Sequence, residues 1–469
     1  MVTSVLIVLG AVLQASAFYC VWRAAARART SQGAVAWAVF LLSAPYLAVP
    51  LYALFGHHRD RRRAIARQDS QIVTSAIALA GERNVPPRRT SLMRQMERLA
   101  DLPAVRGNDA ELLVDGAQTF DAIFAAIDAA ERDVLVQFYI LRDDPTGRAL
   151  ADRLLRAAAR GVRVRLLYDP FGSLGLPRAY RDMLRAGGVK VFEPGALRGP
   201  RSRLRLNYRN HRKTVVVDGR VAFTGGLNVG EEYLGRGAPP LAPWRDTHLR
   251  VTGPVVAQLQ LVFAEDWHWN TGEILTSSLY WEPAPDPADR TGLLVPTGPG
   301  DRMESGALMF FSLIGAARRR VWIASPYFVP DRDVLSALTA AALAGVEVRL
   351  LLPEAVDHYA PWLAAFAYLD EVRAAGVEIW RYTDGFMHQK VVLVDDDVAA
   401  VGTANLDNRS FRLNFEGMVI LFDRGFAAEV AEMLELDFAS ARLATEGLAD
   451  QPLPRRVGAV VARLFAPLL

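Results

Sequence analysis

Cysteine and lysine are the two scarce residue types of this chain. Its 469 residues include a single cysteine, Cys20. That count excludes a disulfide framework and a metal centre built from several cysteine thiolates. Lysine occurs only at Lys190, Lys213 and Lys390, although lysine and arginine together number 54. The chain uses arginine at nearly all its other basic positions, yet two of its three lysines stand two positions after a histidine. We therefore expect these two lysines to have a catalytic role.

The chain also lacks a strong net charge. Its 54 basic residues face 51 acidic ones, which leaves a formal net charge of +3. No global positive field follows from that balance, so we expect no nucleic-acid partner. Charged residues make up 22% of the sequence, which excludes a polytopic bundle of membrane helices. The 51% of hydrophobic residues favours a membrane anchor joined to a large polar part.

Two long runs without charge lie near the amino terminus, at 1–22 and 30–56. Each exceeds the roughly 20 residues that cross the hydrocarbon core of a bilayer, so the sequence predicts a two-helix transmembrane hairpin over 1–57. More arginines follow the second run than separate the two runs, which predicts a cytoplasmic location for the bulk of the chain. A cleavable signal peptide is the alternative for the first run, but the run lacks the charged start of such a peptide.

The rest of the chain repeats itself. Residues 157–170 read AAARGVRVRLLYDP, and residues 341–354 read AALAGVEVRLLLPE. LRAGGVKVF at 184–192 likewise parallels VRAAGVEIW at 372–380. Strands that alternate with alanine-rich helical stretches predict two α/β halves, which we expect to meet across a pseudo-twofold axis.

The repeat sets the predicted domain boundaries. We place the two halves at 106–285 and 286–445, with the joint in a proline-rich stretch. An arginine-rich juxtamembrane connector is predicted at 58–105. In the tail, 446–469, arginines alternate with Val, Leu and Phe, as in a short interfacial helix. A helix packed on the domain is the alternative for this tail.

Each half carries a His-x-Lys-x4-Asp motif. The motif residues are His211, Lys213 and Asp218 in the first half and His388, Lys390 and Asp395 in the second. Residues two apart on a strand point to the same face, so each histidine projects together with its lysine. A lone histidine on a strand is usually a core residue. Two matching motifs at equivalent places of a duplicated chain instead predict one shared catalytic site.

Two imidazoles and two ammonium groups in one pocket suit phosphoryl transfer. A neutral imidazole can attack phosphorus, and a protonated one can donate to the leaving oxygen. The lysines can stabilise the charge that grows on the non-bridging oxygens. No spacing of carboxylates and histidines resembles a metal site, so we expect no metal and no cofactor.

Four further polar residues are candidates for the same site. Asn228 and Asn405 each end a Gly-[Gly/Thr]-x-Asn segment and are predicted to bind the substrate phosphate, although these segments could equally be simple turns. Asp246 and Glu416 follow the two motifs and are predicted to hold the second ring nitrogen of a histidine. Turn or salt-bridge roles are the alternative for the two motif aspartates.

The paired His-x-Lys motifs resemble those of the phospholipase D superfamily. The segments 207–213 (NYRNHRK), 244–247 (WRDT) and 402–410 (GTANLDNRS) resemble bacterial cardiolipin synthases of that superfamily, as do the uncharged amino-terminal runs. The resemblance covers essentially the whole chain. It departs at Gly226 and Thr403, where the superfamily often has serine.

The resemblance implies a duplicated phospholipase D-type α/β sandwich in a multi-pass protein of the bacterial inner membrane. It implies that two phosphatidylglycerol molecules give cardiolipin and glycerol through a phosphatidyl-histidine, without a metal. His211 is the expected nucleophile and His388 the acid and base, although the symmetry allows the reverse. A phospholipase that uses water, or a transferase with another lipid donor or alcohol acceptor, would need the same residues. The oligomeric state stays open.

Overall fold

The computed structural model describes residues 2–27, 31–56, 84–192, 208–275 and 277–469. These residues form two compact units. One unit contains the amino-terminal helices, and the other contains the strands and helices that follow.

The amino-terminal unit contains three helices, α1 (Val2–Arg27), α2 (Ser31–Ser43) and α3 (Pro45–Phe55). Within α1, residues Ile7–Ala26 are long and apolar enough to cross a membrane. The second uncharged run is not one continuous helix, because it divides at Ala44 (φ −140°, ψ 64°). Proline restricts the residue before it and is favoured at the start of a helix, so Pro45 ends α2 and begins α3. The number of membrane crossings stays a prediction.

The second unit begins with a helix and then builds the first half. Its elements are α4 (Ser91–Ala100), β1 (Val105–Val114), α5 (Asp115–Asp128), β2 (Asp133–Phe138), α6 (Pro145–Ala159), β3 (Arg163–Tyr168), α7 (Arg178–Ala186), β4 (Lys190–Phe192), β5 (Arg209–Asn210), β6 (Thr214–Val217), β7 (Val221–Gly225), β8 (Trp244–Arg245), β9 (Thr247–Thr252) and α8 (Val255–Thr271).

The second half repeats this order. Its elements are β10 (Arg290–Thr297), α9 (Ser305–Ala316), β11 (Arg320–Ala324), β12 (Phe328–Val329), α10 (Arg332–Leu343), β13 (Glu347–Pro353), α11 (Tyr359–Ala374), β14 (Glu378–Tyr382), β15 (Phe386–Met387), β16 (Val391–Val394), β17 (Val398–Gly402), β18 (Leu406–Asp407), α12 (Asn408–Arg412), β19 (Asn414–Leu421), α13 (Arg424–Ala439), β20 (Ala441–Leu443) and α14 (Leu453–Leu464). Short 3₁₀ turns occur at Glu231–Leu234 and Ala466–Leu468.

One mixed sheet runs through both halves. Its strand order is β20-β14-β13-β11-β16-β17-β19-β10-β1-β9-β7-β6-β2-β3-β4. The first half contributes the strands in the order β4-β3-β2-β6-β7-β9-β1, and the second half contributes β14-β13-β11-β16-β17-β19-β10 in the equivalent order from the opposite edge. Strands β1 and β10 pair at the centre. The duplicated α/β architecture is thus confirmed. The exact boundaries of the halves stay a prediction.

The repeated Gly-Val segments end equivalent helices. Gly161 (φ +90°) follows α6, and Gly345 (φ +86°) follows α10. A left-handed residue just past a helix favours glycine, and the next strand then enters the sheet. The parallel pairs β2·β3 and β11·β13 follow from this connection.

The core lies on both faces of the sheet. Helix α8 is buried along most of its length and packs on the first half, and α13 packs on the equivalent strands of the second. The described part of the predicted connector also belongs to this core. Thr90 accepts a hydrogen bond from the Met93 amide (3.1 Å) to begin α4, and Met96 is fully buried against β10 and α9. Residues 57–83 lie outside the described residues.

Candidate active site

The two motif segments cross from one half of the sheet to the other. Strand β5, which ends just before His211, pairs in parallel with β19 of the second half. Strand β15, which ends just before His388, pairs in parallel with β8 of the first half. The His211 amide donates to the Phe415 carbonyl (3.0 Å), and the His388 amide donates to the Arg245 carbonyl (2.8 Å). Both histidines are therefore fixed at the centre of the duplicated unit.

Each imidazole contacts a carboxylate of the opposite half. Nδ1 of His211 lies 2.9 Å from Oε2 of Glu416, and Nδ1 of His388 lies 2.9 Å from Oδ2 of Asp246. Both carboxylates are completely buried. A carboxylate at Nδ1 favours the tautomer that carries its proton there, so Nε2 is the nitrogen left for chemistry. The structure brings together these two predicted pairs, each across the pseudo-twofold axis.

The lysines lie beneath the histidines in equivalent positions. The ammonium group of Lys213 donates to the His211 carbonyl (2.7 Å), and that of Lys390 donates to the His388 carbonyl. Both lysines are almost completely buried. Each bond uses one of three ammonium protons and leaves the charge inside the site.

Burial shifts the pKa values of all four groups. It lowers the pKa of His211 to about 4, although Glu416 acts in the opposite direction. Burial lowers the pKa of His388 well below its ordinary value. It also lowers the pKa of Lys213 to about 7 and that of Lys390 to about 8. Each lysine depresses the pKa of the histidine in the opposite half, so the four groups share one electrostatic environment.

The two carboxylates are held by different partners. Glu416 accepts hydrogen bonds from Thr403 Oγ1 (2.6 Å), Ser410 Oγ (2.9 Å) and Asn414 Nδ2 (3.1 Å). No hydroxyl of the described residues donates to Asp246, because Gly226 takes the position that corresponds to Thr403. A Cβ at Gly226 would lie 1.9 Å from Oδ1 of Asp246.

Asp246 lies between β8 and β9 and accepts hydrogen bonds from one residue of each. Its partners are the Thr247 amide (2.9 Å) and Nε1 of Trp244 (3.3 Å). The Trp244 ring also lies 5.2 Å from the His388 ring, so one side chain contacts both members of the pair.

The middle residue of each triplet is anchored to a long helix, which the sequence reasoning missed. Nη1 of Arg212 donates to both oxygens of Asp266 on α8 (2.8 and 2.7 Å). Nε2 of Gln389 donates to Asp437 on α13 (2.7 Å), which also binds Arg245. Asp266 and Asp437 stand at equivalent places in the two helices, each directly before an aromatic residue. That repeat is the sequence signal that could have revealed the two anchors.

The motif aspartates lie outside the histidine cluster. Asp218 accepts hydrogen bonds from the amides of residues 131–133 (2.7–2.9 Å), and Asp395 accepts from those of residues 318–320 (2.8–3.1 Å). Both adopt positive φ (+55° and +50°) at the hairpin turns that close β6 and β16. Four strand residues lie between each aspartate and its lysine, which places the two about 16 Å apart along the chain. The structure does not bring them into the site, and their contacts fit the turn role.

The two asparagines have different environments. Asn228 is fully engaged in local structure, because Oδ1 accepts from the Ile140 amide (3.0 Å) and Nδ2 donates to the Tyr233 hydroxyl (3.1 Å). Asn405 is buried, and its Oδ1 has no hydrogen-bond partner among the residues that the structure describes. A phosphate oxygen can only accept from the Nδ2 donor of an asparagine, so the unpartnered Oδ1 does not support phosphate binding, and this role stays a prediction for both residues.

Two tyrosine clusters border the histidines. The Tyr139 ring lies 4.9 Å from that of His211, edge to face, and 5.5 Å from Nζ of Lys213. In the second half, the equivalent Tyr327 donates to Asp357, which also contacts Nδ1 of His358 (2.9 Å). The Asp357 charge favours protonation of His388.

Comparison with known proteins identifies the same duplicated domain. The family profile "Cardiolipin synthase, PLD-like domain" matches residues 123–267 and 310–438. The chain is 46% identical over 454 residues to "Cardiolipin synthase A" of Pseudomonas putida, with 94% of each chain covered. It is 47% identical over 454 residues to "Cardiolipin synthase A" of Pseudomonas syringae pv. syringae, again with 94% of each chain covered.

Solved structures share the fold at low sequence identity. The phosphatidylserine synthase of Haemophilus influenzae Rd KW20 superposes with a TM-score of 0.60 at 15% identity, over 81% of this chain and 100% of that chain. The polyphosphate kinase of Porphyromonas gingivalis gives 0.50 at 13% identity, over 81% and 56%. The family match falls on both halves that supply the histidine, lysine and carboxylate groups. The chain is therefore a membrane-associated member of the phospholipase D-like cardiolipin synthase family, an enzyme of the phosphatidyltransferase class.

Proposed function

We propose that the enzyme joins two phosphatidylglycerol molecules into cardiolipin and releases glycerol. The observation that carries the proposal is the pair of imidazoles, each held at Nδ1 by a buried carboxylate of the other half. That arrangement supplies one nucleophile and one proton carrier, which is what a two-step exchange of phosphodiesters requires.

In the first step, Nε2 of His211 attacks the phosphorus of one phosphatidylglycerol. A nitrogen–phosphorus bond forms, and the bond from phosphorus to the glycerol oxygen breaks. His388 gives its proton to that oxygen, so glycerol leaves as a neutral alcohol. Lys213 and Lys390 stabilise the negative charge on the non-bridging oxygens.

In the second step, a head-group hydroxyl of another phosphatidylglycerol attacks the phosphatidyl-histidine. His388 now accepts the hydroxyl proton, and the nitrogen–phosphorus bond breaks as cardiolipin forms. The free site holds both imidazoles neutral at pH 7, which suits attack. A bound phosphodiester brings negative charge that raises the pKa of both imidazoles, so one of them can hold a proton.

The deciding experiment is product analysis with purified enzyme, phosphatidylglycerol in detergent micelles and EDTA. We expect cardiolipin and glycerol in equal amounts. Phosphatidic acid as the main product would mean that water is the acceptor and that the enzyme is a hydrolase. Absence of both products, with His388→Ala indistinguishable from the unmutated enzyme, would reject the catalytic role of the pair.

The identity of the nucleophile has its own test. The nitrogen–phosphorus bond of a phosphatidyl-histidine is labile in acid. The quenched enzyme is therefore digested at alkaline pH before mass spectrometry. A phosphatidyl adduct on the peptide that contains His211 supports the assignment. An adduct on the peptide that contains His388 would reverse the two roles.

The location of the site follows from the same reasoning. We propose an inner-membrane enzyme with the catalytic unit on the cytoplasmic side, since arginines concentrate after the second uncharged run. Protease digestion of spheroplasts, with and without lysis, tests this. Cleavage of the catalytic unit in intact spheroplasts would place it on the outer side.

A further inference from the structure

Helix α14 has two apolar faces, and only one of them packs on other residues that the structure describes. Ala459 and Ala462 are buried, and a Cβ at Gly458 would lie 3.3 Å from the Leu363 side chain of α11. The guanidinium of Arg455 stands 4.7 Å from the centre of the Trp362 ring. The helix is therefore firmly seated on α11 by its small residues.

The opposite face of α14 consists of large apolar side chains in solvent. The exposed residues are Leu453, Val457, Val460, Val461, Leu464 and Phe465. They recur at spacings of three and four, which places them along one side of a helix. Leu464 is 76% exposed and Leu453 is 69% exposed. A soluble surface rarely keeps so many large apolar groups together, so this face has a partner.

The charges around the face indicate what that partner is. Arg456 and Arg463 flank the apolar residues, and the segment 453–464 contains no acidic residue. An exposed apolar stripe with arginines beside it is typical of a helix that lies in the head-group region of an anionic bilayer. A protein partner of mixed charge would not account for the absence of acidic residues.

Helix α11, on which α14 packs, borders the second tyrosine cluster of the candidate active site. Trp362, whose ring contacts Arg455, lines a small cleft together with Tyr327 and Asp357. Asp357 belongs to the cluster that acts on His388. Tyr359, at the start of α11, is 71% exposed, and its ring centre lies 6.2 Å from that of Trp362.

We infer that the apolar face of α14 is a bilayer-docking surface that brings the lipid head-group layer to the side of the catalytic unit that contains Tyr327 and Asp357. The inference rests on the proposed function for its substrate, but the surface itself is independent of catalysis. The face inserts among head groups while the alanine side stays on α11. The packing of one face on α11 thus leaves the other face available for the interfacial role that the sequence predicts.

A spin label tests the surface without any readout of activity. The full-length enzyme carries Cys20→Ala, so that a single introduced cysteine takes the nitroxide. One variant has the label at Leu464→Cys. The matched control has it at Leu343→Cys on α10, since the Leu343 side chain is 72% exposed. In phosphatidylglycerol vesicles, we expect the Leu464 label to be relaxed by oxygen and protected from a water-soluble nickel reagent. The Leu343 label should be relaxed by the nickel reagent. Equal exposure of both labels to the nickel reagent would overturn the inference.

A charge in the face provides a second test. Leu464→Asp should lower kcat/KM for phosphatidylglycerol vesicles by about tenfold, because burial of one leucine among lipids is lost. Activity on short-chain phosphatidylglycerol below its micelle-forming concentration should stay unchanged, and Leu343→Asp should change neither value. An equal rate on vesicles would overturn the docking role. If the unmutated enzyme forms no cardiolipin, the proposed function fails, while the spin-label result still decides the surface.

Discussion

Asp246 and His388 are separated by 142 residues, yet Oδ2 of one lies 2.9 Å from Nδ1 of the other. The reciprocal pair, Glu416 and His211, has the same separation of 2.9 Å. Neither half of the duplicated unit can therefore orient its own histidine. Each half supplies a motif to the site and a carboxylate to the motif of the other.

This exchange predicts that the carboxylates act as positioning residues. Asp246→Asn and Glu416→Gln preserve volume but reverse the preferred histidine tautomer, so kcat should fall by about 10²- to 10⁴-fold with a much smaller change in KM. Steady-state kinetics on phosphatidylglycerol micelles measures the split. A rise in KM alone, at constant kcat, would contradict the positioning role.

The buried lysines predict an alkaline limit of activity. The pKa values of Lys213 and Lys390 are lowered to about 7 and about 8. Each lysine is charged below its pKa and neutral above it, so kcat/KM should decline as the pH rises through this range. The acidic limb should follow His211, whose pKa is lowered to about 4. The pH profile of kcat/KM should be measured over a range that begins below both lysine pKa values and ends above them. A constant kcat/KM across that range would contradict the role of the ammonium charges.

The lack of a side chain at Gly226 predicts a specific sensitivity. Gly226→Ala would bring Cβ to 1.9 Å from Oδ1 of Asp246 and displace the carboxylate that holds His388. We expect kcat to fall by at least about tenfold, as for other misplaced catalytic groups. Gly175→Ala, which has open space around its Cβ, is the matched control and should retain full activity. Equal activity of the two variants would show that Asp246 can move without consequence.

The anchor of the first triplet predicts a loss of stability. Arg212→Met removes the two hydrogen bonds to Asp266 and leaves that carboxylate in the core, which costs about 3–5 kcal/mol. Thermal unfolding in detergent should therefore begin at a lower temperature. Arg148→Met removes an exposed ion pair with Asp143 and should leave the unfolding temperature within error. An unchanged unfolding temperature for Arg212→Met would contradict the anchoring role.

Sequence patterns alone determined the architecture and the main chemical groups. Each repeated Gly-Val segment predicts the end of a helix followed by a buried strand. Because the segment occurs in both halves, it predicts the same α/β unit twice. Two His-x-Lys triplets at equivalent places then predict two histidines and two lysines in one site. The expected place on a strand was wrong, because the triplets lie in the segments that join β5 to β6 and β15 to β16. The uncharged amino-terminal run likewise predicts α1, because its length and composition favour a membrane helix.

Other features depended on the tertiary structure. The crossing of β5 and β15 into the opposite half decides which carboxylate meets which histidine, and no local pattern encodes a contact between residues 142 or 205 positions apart. The motif aspartates share the same spacing in sequence but end at turns, because a strand carries them away from the site. The break of the second uncharged run at Ala44 depends on local backbone geometry. The exposure of the second apolar face of α14 depends on which face of the helix packs on α11. The sequence thus determined which groups are present, whereas packing between the halves decided which of them meet.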